Sequence, residues 1–294
     1  MQNWDDLRFL LALARCGTMT EAAKRLGSNV ATVSRRIERL GTRLGYPPFA
    51  KTAEGWVPAS SILPLIDIAE TVEARLALEL NRARAMTLTE RVPIRLGAPP
   101  VVTLGALLPM LRDAPHALGG IELTLIDRVS GDGLGDHDII VRFDMPPAGR
   151  LMTRKVGRLD VRLYGRPDAE ETGDWAGLTG WTEASGPMQL GLARFGRPPS
   201  LRVDTYNTLA SLMRSSGLPG PLPDTALSFD DVLQPLDPGG ASWSVDLWSA
   251  YHETRRNDPA IDRVLEWIVA ACARAQDRAG PVAKTQARSR SKQG

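Results

Sequence analysis

The side chains that could do chemistry are concentrated in one predicted helix. Thr32, Arg35, Arg36, Arg39 and Arg43 recur at steps of three and four, so they line one basic face. Val33, Ile37, Leu40 and Leu44 recur at the same period and line an apolar face. A helix that buries one side and presents guanidinium groups on the other suits nucleic acid, since arginine pairs with phosphates and with guanine edges. What precedes it fits. Thr20 is placed to cap a short helix ending at Leu26, Ala22 and Ala23 are small enough for close helix packing, Gly27 follows where a positive φ is wanted, and Asn29 can cap the basic helix. Helix, turn, basic helix is the order of a helix-turn-helix reader. The plainer alternative is a solvated charge stripe on a small helical core; the capped turn ahead of the stripe favours DNA.

Little else in the chain has the spacing of a catalytic or metal site. His116, His137 and His252 are scattered, and no nucleophile elbow, phosphate loop or glycine fingerprint follows a strand. The run from Gly131 to Gly135 reads as a turn. Cys16 and Cys272 fall in separate predicted helices, which argues against a disulfide or a thiolate metal site. No cofactor is expected, and an enzyme is the rival reading: an α/β body that metabolises a small molecule, with an incidental basic head.

Charge is uneven. The 294 residues carry a formal +2, but residues 1–60 hold nine lysines and arginines against five acids, a formal +4, and the stretch after Gly280 adds another +4, leaving −6 for the middle. A basic head on an acidic body fits a DNA reader joined to a sensor. The basic end lacks periodicity, so residues 280–294 are expected to be disordered. With no apolar leader at the start and no apolar run of spanning length, no membrane partner and a cytoplasmic location are expected.

A second helix has another task. Ile62, Leu65, Ile66, Ala69, Val72, Leu76, Leu80 and Ala83 fall at helical steps, with Pro64 in the first turn, where proline is tolerated. Such a stripe needs a partner. Beyond Met86 the pattern alternates. Strands are predicted at Pro93–Gly97, Ile121–Asp127, Asp138–Phe143, Asp160–Tyr164, Leu201–Asp204 and Ser244–Ser249. Helices are predicted at Leu104–Arg112, at Tyr206–Arg214 and after Asp258, which caps a helix starting at Pro259. The alternation argues for an α/β body with largely parallel sheets. The Gly-rich stretch from Glu170 to Arg197 lacks a regular pattern, so the second half of this body looks short.

Trp4–Leu11, Gly17–Thr20, Glu21–Leu26, Ala31–Ile37, Leu44–Gly45, Phe49, Lys51–Thr52 and Gly55 together resemble the DNA-binding domain of LysR-type transcriptional regulators. Thr18 stands for the usual Ser, Gly41 for Glu, Lys51 for Arg, and Val30 for a polar base-contacting residue, commonly Gln or His. Weaker similarity continues through "IRLGAPP", "GDHDIIVRF", "LRVDTYNTLASLMRSSGL" and "WSVDLWSAYHETRRNDPAIDRVLEWI". The resemblance implies an N-terminal all-α winged helix-turn-helix domain over 1–58 and a linker, dimerisation helix over 59–88. An α/β effector-binding domain follows over 92–276, of two subdomains resembling periplasmic binding proteins. It implies contacts to double-stranded DNA at Thr20, Asn29, Val30, Ala31, Thr32, Ser34, Arg35, Arg36, Arg39, Lys51 and Thr52, the last two from a wing. It implies pairing of linker helices through Leu65, Val72, Leu76 and Leu80 into a homodimer, and beyond that a tetramer. A small-molecule effector would modulate output.

Sheets of this kind bind ligands beyond the carboxyl ends of their strands, where helix N-termini offer free N–H groups. Two such ends can be read: Pro100, Val101 and Thr103 after the first strand, and Thr205 with Asn207 after the Leu201–Asp204 strand. Arg142 ends another strand. Hydroxyl donors at helix starts, with an arginine, favour a small anion such as a carboxylic acid.

Overall fold

The structure is a computed structural model and describes residues 5–53, 55–86, 91–128, 133–145, 150–167, 173–180, 185–227, 232–237 and 239–290. Trp4, Gly131 and residues 291–294 of the expected tail lie outside these. The chain divides into two compact units, one formed by Met1–Leu88 with Thr254–Arg256, the other by Thr89–Glu253 with Asn257–Gly294.

The first unit contains α1 (Asp5–Cys16), α2 (Met19–Arg25), α3 (Val30–Leu44), the short hairpin β1 (Phe49–Lys51) and β2 (Trp56–Pro58), and α4 (Leu63–Met86). Its core gathers Leu7, Leu10, Leu11 and Leu13 of α1, Ala22 and Ala23 of α2, Val33, Ile37 and Leu40 of α3, Phe49 of β1, and Ile62 and Ala69 at the start of the long helix. The apolar period read from the sequence is the buried period. The hairpin is antiparallel, with Phe49 opposite Pro58 and Lys51 opposite Trp56. Gly55 has φ 135°, and a Cβ there would lie 2.5 Å from the Gly17 carbonyl oxygen, so only glycine fits where the hairpin docks. The Trp56 amide donates to that same oxygen at 2.7 Å.

The second unit is built on β3 (Val92–Ala98), α5 (Pro100–Val102), a π-turn over Thr103–Leu107, α6 (Leu108–Asp113), β4 (Ile121–Asp127), β5 (Ile139–Arg142) and β6 (Leu151–Gly165). It continues with β7 (Ala176–Leu178), α7 (Gly186–Phe195), β8 (Leu201–Val203), α8 (Tyr206–Ser216), β9 (Gly220–Pro223), β10 (Gln234–Pro235), β11 (Trp243–His252) and α9 (Pro259–Arg290). Seven strands form one sheet in the order β10-β6-β11-β5-β3-β4, with β9 also on β6. Only β3–β4 and β3–β5 are parallel there; β11 pairs antiparallel with β5 and β6, and β6 with β9 and β10. The expectation of largely parallel sheets is thus corrected. The sequence showed only the last third of β6, at Asp160–Tyr164, and missed the long strand that pairs with β11 over ten positions.

Two cores follow. One lies under α9 and the β3–β5 side, with Ile94, Leu96, Ile139, Leu107, Ile261, Val264 and Ile268 fully buried. The other joins Tyr164, Trp175, Leu178, Met188, Leu209, Met213 and Leu222 around the parallel pair β7–β8. The second subdomain therefore has its own core, and the stretch read as patternless holds both β7 and α7. Glycine hides the periodicity there. A Cβ on Gly191 would lie 2.3 Å from the Trp175 ring, and one on Gly186 would lie 2.0 Å from Trp243, so close packing demands residues that carry no pattern.

Asp258 caps α9 as the sequence predicts, accepting from the Ala260 amide at 2.9 Å. The same helix then runs to Arg290, through most of the segment expected to be disordered. Ala, Lys, Gln and Arg are strong helix formers, so propensity extends the helix where amphipathic periodicity has ended.

Candidate functional site

The turn into α3 is fixed by two side-chain caps. Thr18, not Thr20, caps α2: its hydroxyl accepts from the Glu21 amide at 3.2 Å, and Thr20 lies exposed inside the helix. α2 begins at Met19, one residue before the predicted cap, so the threonine with extended backbone is Thr18. Gly27 has the positive φ that the sequence implied, at 59°. Asn29 caps α3, its Oδ1 accepting from the Thr32 amide at 2.8 Å and the Thr32 hydroxyl at 2.9 Å.

Along α3 the basic face divides. Val30 is 45% exposed, Ala31 and Arg35 are exposed, and Ser34 is half-buried with its hydroxyl donating to Glu38 at 2.6 Å. Arg36, Arg39 and Arg43 instead turn to Asp6 of α1. The Asp6 carboxylate, fully buried, accepts from Arg36 Nη1 at 3.0 Å and Arg39 Nη2 at 3.1 Å through Oδ1, and from Arg43 Nη1 at 3.0 Å through Oδ2. The Arg36 guanidinium also stands 5.4 Å over the Phe9 ring. Burial pushes the Asp6 carboxyl up, but the hydrogen bonds and charges of Arg36 and Arg39 outweigh it and hold it below the ordinary carboxylate value. Sequence reasoning missed Asp6. The signal was present: Asp6, Leu10 and Leu13 lie at i, i+4 and i+7, so an acid shares the buried face of α1.

Lys51 and Thr52 are exposed at the hairpin tip, where the Thr52 hydroxyl donates to the Gly55 carbonyl at 3.2 Å. Asn29, Val30, Ala31, Thr32, Ser34 and Arg35 are thus gathered on the cap and first two turns of α3, and the wing residues stand at a separate loop tip of the same unit.

Of the pairing residues expected on α4, Leu65 is half-buried against the core of its own unit. Val72, Leu76 and Leu80 are 37%, 58% and 48% exposed, and Ile68, one turn earlier, is 48% exposed. The exposed stripe therefore runs Ile68, Val72, Leu76, Leu80 at four-residue steps. Arg15 ties the inner side of α4 to α1, with Glu73 at 2.7 Å and Glu70 at 3.5 Å.

In the second unit α5 and α8 pack on one another and on the 3₁₀ turn Asp224–Ala226. Thr205 caps α8, accepting from the Thr208 amide at 3.2 Å, and Asn207 sits half-buried in its first turn. Thr103 does not cap. The helix begins at Pro100, the favoured first position for proline, so Thr103 lies inside it, buried, with its hydroxyl turned to the Pro99 carbonyl at 3.4 Å. Val101 is buried and Pro100 half-buried. Arg142 makes a two-bond pair with Asp144, at 2.8 and 2.7 Å, which draws the Asp144 carboxyl below its ordinary value, while Arg142 Nη1 is buried with no hydrogen-bond partner. Thr225 Oγ1, on the turn facing the helix starts, is also buried and unpartnered.

Two features lay beyond the sequence reading. Tyr164 and Arg162 both donate to Asp224, Tyr164 at 2.7 Å, beside the two helix starts; burial raises the Asp224 carboxyl despite these partners. A cavity of about 490 Å³ lies elsewhere in the unit, lined by Leu163, Gln189, Leu190, Arg194, Leu236 and Trp243. It contains none of the predicted effector residues.

Residues 4–60 match the model of the bacterial regulatory helix-turn-helix protein, lysR family. The Mau operon transcriptional activator of Paracoccus denitrificans is 28% identical over 282 residues, covering 90% of this chain and 95% of that protein. The N-terminal domain is thus of the lysR-family helix-turn-helix type. The matched domain is a DNA-binding helix-turn-helix of regulatory proteins, and the relative similar to nearly the whole chain is a transcriptional activator. Solved LysR-type structures share its fold over nearly its whole length. ArgP from Mycobacterium tuberculosis superposes with a TM-score of 0.61 at 19% identity, covering 91% of this chain and 96% of that one. Full-length LysG from Corynebacterium glutamicum, with bound effector Arg, superposes with a TM-score of 0.58 at 15% identity, covering 93% and 99%.

Proposed function

We propose that this LysR-type regulator reads operator DNA through the first two turns of α3 and the wing, works as a homodimer joined along α4, and changes its output when a small anionic effector binds beside the starts of α5 and α8. The observation that carries the DNA reading is Arg35, exposed and without a partner among the described residues, on a helix whose N-terminus is fixed by Asn29. Val30, Ala31, Thr32 and Ser34 share that end, and Lys51 and Thr52 supply phosphate contacts from the wing. Replacing Arg35 by Ala costs about 1–3 kcal/mol of operator affinity if it reads a base, or mainly reduces the salt slope if it meets phosphate. A folded R35A chain that binds operator as wild type at every salt concentration removes Arg35 from the interface.

The effector reading is supported by two buried polar atoms without partners, Thr225 Oγ1 and Arg142 Nη1, the former on the turn that packs against α5 and α8. Helix N-termini favour anions. Asn207→Asp places a carboxylate there and should raise the half-maximal concentration of an anionic effector more than about tenfold, roughly 1.4 kcal/mol, without changing effector-free DNA binding. An unchanged half-maximal concentration moves the site elsewhere, with the Trp243 cavity next to be tested.

A further inference from the structure

The basic stripe of α3 holds more positive charge than it can offer to DNA. Arg36, Arg39 and Arg43 occupy three successive turns, and all three reach one carboxylate from α1. Both oxygens of Asp6 are engaged, and its side chain is 0% exposed beneath the three guanidinium groups. Arg36 is further held over Phe9 and stands 4.0 Å from Asp5. Arg35, one position from Arg36, points away, is exposed and has no partner among the described residues. The helix therefore carries two classes of arginine.

We propose that Asp6 is a positioning residue that sets how many phosphates this domain neutralises: it keeps Arg36, Arg39 and Arg43 on the protein and leaves Arg35 as the cation of α3 that meets DNA. The inference rests on the DNA-binding reading above. A phosphate that recruited one of the three would have to strip a buried carboxylate of a charged donor, and removing one partner of a buried pair is strongly unfavourable. Arg35 exchanges only water and salt ions for phosphate. The consequence is selective. Each phosphate neutralised adds about 0.9 to the slope of log affinity against log salt, for any sequence. Holding three arginines back lowers affinity for random DNA and leaves base contacts at the N-terminal end of α3 to decide where the protein binds.

The test uses the full-length chain and a random-sequence DNA duplex, with binding measured across a salt series. Arg35→Gln should make the slope shallower by about 0.9. Arg39→Gln and Arg43→Gln should leave it at the wild-type value. Asp6→Asn, checked for folding by circular dichroism, should steepen it by about 0.9 for each arginine released. A slope made shallower by Arg39→Gln or Arg43→Gln overturns the inference, as does a folded Asp6→Asn chain with the wild-type slope. If Asp6→Asn does not fold, the two glutamine variants decide. Wild-type binding that is insensitive to salt would instead remove the DNA-contact reading, and this inference with it.

Discussion

The Asp6 carboxylate joins stability to function in the first unit. Because Arg36 and Arg39 hold its folded pKa below the unfolded value, its contribution is fully present above the unfolded carboxylate value of about 3.9 and is lost as pH falls through the lower folded value. Denaturant melts of the first unit should therefore weaken on acidification below about pH 4, and Asp6→Asn should flatten that part of the profile. A variant with the wild-type acid limb would place the acid sensitivity on other carboxylates. Asp224 runs the opposite way: burial raises it, so the folded state favours its protonated form despite Tyr164 and Arg162.

Capping and the unpartnered stripe act at the level of single helices. Asn29 satisfies the Thr32 amide at the end of α3 that faces DNA in the proposed complex. Asn29→Ala should cost about 1 kcal/mol of stability, measured by chemical denaturation, and more in operator affinity than in stability, because the same turn positions Val30 and Ala31. A loss confined to stability would make Asn29 a cap and nothing more. On α4, Ile68, Val72, Leu76 and Leu80 leave an apolar ribbon open along one side. Leu76→Glu should shift the sedimentation equilibrium of the chain toward monomer and weaken operator binding in parallel. A wild-type chain that is monomeric at micromolar concentration would refute pairing through this helix.

At the scale of the molecule, the proposed DNA-reading and effector sites lie in separate compact units, so the two should be separable by mutation. Trp175 is fully buried, stacks on Phe195 with ring centroids 5.9 Å apart, and leaves no room for a side chain at position 191. Gly191→Ala should cost roughly 1–3 kcal/mol by overpacking the smaller subdomain and abolish the effector-induced thermal shift. The salt slope of DNA binding should not change. A parallel loss of DNA binding would show that the reader depends on this core.

What the sequence determined was whatever depends on local period and on backbone chemistry. The apolar face of α3, the Gly27 turn, the Asn29 and Asp258 caps and the strands β3, β4 and β5 all repeat or terminate within a few residues, so each was legible from its own stretch. Tertiary structure decided the partners. Arg35 and Arg36 are neighbours of one residue type, and only the placement of α1 beside α3 sends one to solvent and the other to Asp6. Leu65 and Leu76 belong to one stripe, and only packing against the core of the first unit half-buries the former while leaving the latter exposed. Antiparallel pairing of β6 with β11 joins segments about ninety residues apart, and the glycines of α7 earn their places from tryptophans on other elements. A period fixes which face a side chain lies on; what meets that face is set by long-range packing, which no short window of sequence contains.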